Sequence, residues 1–279
     1  MRVQAKLFLL IGAIAWVGAA VPGGAQEPAR PGCAHCRPER PEIAELVKRA
    51  ERLHAQFKPR EAARELRKVL EAEPDHFEAL TMLARAHIDI GDMVLESEPG
   101  WQAKRLEEYR IAERLARKAV AVDPGSTWGH FYVAWSLGNI AMISPVGTQI
   151  DLAGEIRSAV ERAIALDPGN GFAYHVYGVW HRKMAEIGRM SRLFANVVYG
   201  RSIPRGSLEQ SVELLKKAIA LNPGVIVSRL ELAQSYIAAE NWAQARALLR
   251  SIEPLPIRFS DDARHKQKAK RLLEEIRNQ

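Results

Sequence analysis

The chain has 279 residues, with 40 Lys and Arg against 33 Asp and Glu, a formal charge of +7. Hydrophobic residues make up 47% and charged residues 26%, a globular balance that excludes wholesale disorder, collagen and a many-spanning membrane protein. Two cysteines exclude a disulfide framework, and the mild positive charge suits solubility without being a nucleic-acid footprint.

The chain opens with Arg2 and Lys6. An uncharged run from Leu7 to Val21 follows, and Gly23 and Ala25 then occupy the small-residue positions of a cleavage site after Ala25. This order predicts a secretory signal peptide over residues 1–25. The rival is an N-terminal membrane anchor, but the run is shorter than the about 20 apolar residues that spanning needs. The expected location is therefore periplasmic or secreted, with N-terminal anchoring as the alternative. Residues 26–41 hold Pro28, Pro31, Pro38 and Pro41 and read as a tether. Within it, Cys33 and Cys36 could close a local disulfide in an oxidising compartment. Haem attachment would need a His where Arg37 stands. Zinc would need more ligands than Cys33, His35 and Cys36 supply.

Residues 42–279 read as one helical domain built on a recurring phrase. Lys118 to Gly125 reads Lys-Ala-Val-Ala-Val-Asp-Pro-Gly, Arg162 to Gly169 reads Arg-Ala-Ile-Ala-Leu-Asp-Pro-Gly, and Lys217 to Gly224 reads Lys-Ala-Ile-Ala-Leu-Asn-Pro-Gly. A looser copy runs from Lys68 to Asp75. An Ala and aliphatic stretch ends a helix, because the residue before Pro is pushed out of the helical region. Pro and Gly then make the turn into the next helix. Apolar residues at spacings of three and four flank each phrase, as in Leu80, Leu83, Ala84 and Ile88, and mark amphipathic helices. Units are expected to end near 74, 124, 168, 223 and 254, with a polar capping helix over 260–278 started by Ser260, Asp261 and Asp262.

At this point the chain resembles the tetratricopeptide repeat (TPR) family. Leu232, Ala233, Tyr236, Ala245 and Leu249 match its two-helix pattern, as do Ala112, Ala116, Ala119 and Pro124. The closing prolines at 74, 124, 168 and 223 lie farther apart than the family's about 34 residues. Lengthened helices or inserted pieces must take up the excess. Gly91 to Gly100 and Ile143 to Thr148 read as loops, and Met190 to Gly206 as a short extra helix and a loop. Ser207 with Gln210 reads as a capping box opening the next helix. Tyr174, His175, Gly178 and Trp180, followed by Arg192 to Ala195 and Pro204, are similar to the helical domain of the regulator of microtubule dynamics family. An export signal points to a prokaryotic relative, so the microtubule role is not carried over. The resemblances together imply an all-α, TPR-like right-handed superhelical solenoid of antiparallel hairpins, an interaction domain with no catalytic residues to transfer.

A search for chemistry finds no His-Glu-x-x-His, phosphate loop, Gly-x-Ser-x-Gly or paired cysteine clusters. No enzyme activity, cofactor, metal or nucleic-acid partner is therefore expected. His87 and His181 fall where the repeat usually has an aromatic and are expected to be packed. In the resembling family the first helix of each unit lines a groove. By that mapping the groove-facing positions are Trp128, Phe131, Trp135, Phe172, His175, Val179, Arg182, Lys183 and Leu230. Buried aromatics each remove roughly 150–250 Å² from water, so such rings would not stay wet. The chain's own insertions, a partner helix or an apolar ligand would cover them. Residues 181–205 carry six basic residues against Glu186 alone, among them Arg189, Arg192, Arg201 and Arg205, interleaved with apolar residues. That pattern suits a lipid headgroup or membrane surface. The expected function is a protein-binding scaffold of the cell envelope, with the carrying of an apolar or lipid-like ligand as the alternative.

Overall fold

The computed structural model describes residues 40–188, 192, 197–198, 200 and 202–279. The signal peptide, most of the tether, Cys33, Cys36, Arg189 and Arg201 lie outside the described residues. The described residues form eleven helices and no strand. These are α1 (Pro41–Ala55), α2 (Pro59–Ala72), α3 (Phe77–Met93), α4 (Trp101–Val122), α5 (Thr127–Ile143) and α6 (Val146–Leu166). They are followed by α7 (Gly171–Glu186), α8 (Leu208–Leu221), α9 (Ile226–Ala238), α10 (Trp242–Arg250) and α11 (Asp262–Glu275).

The recurring phrase ends a helix in the same way each time. Glu73, Asp123, Asp167 and Asn222 precede its four prolines with φ of −136°, −135°, −142° and −132°. That is extended backbone, as the following proline ring requires. Asp123 and Asp167 then accept the amides of Gly125 and Gly169 at 2.9 and 2.8 Å, which fixes the turn. New helices start on side-chain caps. Ser126 accepts from Trp128, and Asn170 accepts from both Phe172 and Ala173 at 3.1 Å. Ser207 accepts from the Gln210 amide at 3.2 Å, the forward half of the expected capping box. The Ser207 amide points instead at His181 Nδ1.

The surplus over a standard repeat goes largely into longer helices. α4 has 22 residues and α6 has 21. The loop expected over 143–148 shrinks to Ser144 and Pro145, and Gly147 lies inside α6. Proline there ends one helix and opens the next. The turn after α3 does fall within 91–100, and Gly100 closes it at a φ of 69° that favours glycine.

Helices pair as hairpins α1–α2, α3–α4, α5–α6, α7–α8 and α9–α10, and each hairpin packs on the next. The first helices α3, α5, α7 and α9 also touch one another in a row, while α11 packs on α9 and α10. Leu66, Leu80, Ile88, Leu137, Leu215, Ile226 and Leu230 are buried to below 2% exposure. Each contributes roughly 1.5–3 kcal/mol by leaving water. Close approach depends on glycine at Gly178, where a Cβ would lie 2.6 Å from Leu215 Cγ. No helix among the described residues is long and apolar enough to cross a membrane.

Candidate functional site: the inner helix row and the C-terminal segment

The row of first helices carries the aromatic residues singled out in the sequence. Trp128, Phe131, Tyr132, Trp135 and Phe172 form one cluster with ring centroids 5.0–6.4 Å apart. Phe131 and Trp135 are each 2% exposed, Phe172, Val179 and Leu230 are also buried, and Trp128 is half-buried. The structure places these side chains in the core of the row and not on an open face. Residues 252–279 take part in that cover. Phe259 joins the same core, and Arg264 Nη1 donates to the Asp92 carbonyl at the end of α3, 3.3 Å away. Phe259 and Arg264 belong to the C-terminal segment and not to the insertions named in the sequence.

The polar residues of the row are tied to each other. Buried Arg182 pairs with buried Glu231 and donates to Glu186 at 3.0 Å. Gln234 donates to Glu231 at 2.8 Å. Burial alone would raise the Glu231 carboxyl, but Arg182, Lys268, His175 and Lys183 overcome it and hold the group at about 2. His175 sits 3.1 Å from Ser228 Oγ, and burial pushes its imidazole down to about 4, so it is neutral at pH 7. Lys183 lies 3.6 Å from Glu186, and burial lowers its ammonium. These groups do not form a nucleophile, base and oxyanion arrangement. His87 bridges Glu108 at 2.6 Å and Arg67 at 3.1 Å, and His181 rests on the Tyr177 ring with centroids 4.5 Å apart.

A second buried cluster joins α3 to the start of α11. Tyr109 donates to Asp92 Oδ1 at 2.6 Å, and Arg264 reaches Asp261 at 3.3 Å. Burial, then the Asp92 charge, pushes the Asp261 carboxyl up to about 9, and burial raises Asp92 to about 7. Asp262 accepts the amides of Arg258 and Phe259 at 2.7 and 2.9 Å, which anchors the start of α11. Asp261, Asp262 and His265 are the one group among the described residues with ligand atoms close enough, within 4.8 Å, to share a cation. Arg264 already competes for Asp261 there.

The basic segment divides. Arg192 is half-buried and donates to the carbonyls of Met184, Ile187, Ile203 and Pro204, so it staples the chain after α7 instead of facing outward. Arg205 is exposed, as are Val197 and Val198. Sequence reasoning missed Glu231, Asp92 and Phe259, read Asp261 only as a helix start and placed Lys268 only on a polar capping helix. The available signal was Asp89 and Asp92 set in the apolar run after Ala86, where acids need a partner.

The architecture is that of a TPR-like helical repeat protein. A thermophilic TPR protein of Thermus thermophilus superposes with a TM-score of 0.59 at 15% identity, over 81% of this chain and 98% of that one. PilW, a widely conserved type IV pilus biogenesis factor, superposes with a TM-score of 0.53 at 15% identity, over 85% and 94%. At such identities these likenesses define the fold alone. The chain belongs to the family described as regulator of microtubule dynamics protein 1-3, which it matches over residues 46–277. Regulator of microtubule dynamics protein 1 of Bos taurus is 24% identical over 83% of this chain and 71% of its own length. The proteins of that name from Pongo abelii and Mus musculus are each 25% identical over 72% of this chain, and the match spans 63% and 65% of their lengths.

Proposed function

We propose that the chain is a non-catalytic interaction scaffold of the cell envelope, binding a protein partner through its concave surface. That surface is the side formed by the first helices and the C-terminal segment laid against them. The observation that carries this reading is the use made of the chain's buried polar groups. Arg182, Glu231, His175 and His87 are engaged in pairs that hold helix to helix, within a fold that elsewhere serves binding. The envelope location rests on the export signal expected from the sequence of residues 1–25. The microtubule link in the relatives' name belongs to those proteins.

The alternative, an apolar or lipid-like ligand held by Trp128, Phe131, Trp135, Phe172 and Val179, has less support. Those side chains already fill one another's space, so a ligand would require the C-terminal segment to withdraw.

The test is photo-crosslinking in cells. Crosslinkers at Glu96 and Arg271, on the inner side, are expected to give discrete protein adducts. One at Glu155, on α6, is expected to give none. Equal labelling from both sides, or no change in partners after deletion of a hairpin, rules the scaffold reading out. A stoichiometric apolar molecule in a solvent extract of the purified protein would favour the carrier.

A further inference from the structure

Between α11 and the turn after α3 lies a cavity of about 250 Å³. Four cations line it, Arg105, Arg264, Lys268 and Arg271, against one carboxylate, Glu96, together with Leu95 and His265. Arg264, Lys268 and Arg271 recur at spacings of four and three, so one face of α11 presents all three.

Their bonding states differ in an informative way. Arg105 is fixed by the Val94 carbonyl, which accepts from Nε at 3.1 Å and Nη2 at 2.7 Å, and its guanidinium lies 4.8 Å from the Trp101 ring centroid. Glu96 is only 3.5 Å from Arg105 Nη1 and does not reach past it as a paired counter-charge for the rest. Arg264 is held by the Asp92 carbonyl and Asp261. Lys268 and Arg271 make no hydrogen bond or ion pair with any described residue. Lys268 is nonetheless half-buried; burial lowers its ammonium most, the Glu231 charge raises it, and Arg182, Arg271 and Arg264 lower it further. The nearby Glu231 is already committed to Arg182 and Gln234.

A half-buried ammonium that shares the Glu231 charge with Arg182 and faces two further guanidiniums is only partly compensated. The arrangement becomes favourable once an anion arrives. Two fixed guanidiniums and two cations without a direct hydrogen bond or ion pair among the described residues suit a dianion with several acceptor oxygens better than a single carboxylate. Among the described residues the only ring lining the cavity is the His265 imidazole, itself buried beside Asp261, and it offers no platform for a nucleic-acid base. We propose that this cavity is a binding site for a phosphate monoester or diphosphate group, gripped by Arg264, Lys268 and Arg271 against the fixed Arg105. The proposal does not rest on the scaffold reading above, although Glu96 and Arg271 lie on both faces.

The test is calorimetric titration of the full chain with inorganic phosphate and diphosphate, at an ionic strength held constant with chloride. Saturable binding of one anion per chain is expected, with diphosphate half-saturating below about 1 mM. Lys268→Met should weaken it at least about tenfold. Arg271→Met, at an exposed position, should weaken it without altering thermal unfolding in phosphate-free buffer. No saturation by about 1 mM diphosphate, or unchanged binding by both variants, overturns the proposal. Vesicles with and without phosphatidic acid identify the source of the phosphate. Retention on the acidic vesicles that disappears in Lys268→Met assigns a lipid headgroup. Soluble-anion binding without retention assigns a free phosphate compound.

Discussion

Glu231→Gln is expected to be among the most destabilising single polar substitutions in this chain. Glu231 is 1% exposed and is the buried anion facing Arg182, which is 2% exposed. Lys183 and Lys268 also lean on its charge. Removing the carboxylate leaves the buried guanidinium with Glu186 alone and two lysines with less compensation. Breaking a buried pair from one side typically costs about 3–5 kcal/mol. The linkage argument agrees in size. A carboxyl held at about 2 rather than the usual value of 4.5 corresponds to roughly 3 kcal/mol at neutral pH. Its sign is that of a depressed acid, so the contribution is complete above pH 4.5 and is lost as pH falls toward 2. Glu231→Gln with Arg182→Met should recover part of the loss, giving a coupling of about 2 kcal/mol or more. Urea unfolding of the four proteins, with equal denaturant slopes, reads these values. A loss below about 1 kcal/mol for Glu231→Gln, or strict additivity in the double variant, would refute the reasoning.

Three further outcomes follow from packing and protonation. Trp135→Ala should cost about 3–5 kcal/mol. Trp135→Phe should cost less than about 1.5 kcal/mol, because the buried indole N–H makes no hydrogen bond. Equal losses in urea would mean that the ring does not pack as described. Gly178→Ala should lower stability by about 1–3 kcal/mol through the clash with Leu215, and a raised Tm would count against that close approach. His175 is depressed from 6.5 to about 4, so it binds a proton more readily when unfolded. Its contribution is whole above pH 6.5 and falls by about 1.4 kcal/mol per pH unit toward pH 4. The difference between wild type and His175→Asn across that window should show this slope, and parallel curves would contradict it.

Much of the fold is legible because its punctuation is local. Asp-Pro-Gly forces an extended residue, a carboxylate-fixed turn and a new helix within five positions, and the structure repeats the extended residue before all four prolines. Pro145 was harder to read, since proline serves equally in a loop and at a helix start. The state of the inner row was beyond local pattern. Its cover includes Phe259, and the tie between Arg264 and Asp92 joins residues 172 positions apart. Arg192 reads as a surface cation by composition, yet backbone carbonyls left over around the end of α7 claim it. That Lys268 has no direct ion pair likewise depends on Glu231 being bonded to Arg182 and Gln234.

The return of the C-terminal helix to α3 underlies both the covered inner row and the basic cavity. It is tested most directly by placing cysteines at Glu96 and Arg271, which line that cavity, with Cys33 and Cys36 replaced by serine. A short bis-maleimide should join the two positions within one chain under native conditions, and should fail to do so in urea. Absence of the native crosslink, or equal crosslinking in urea, would contradict the account.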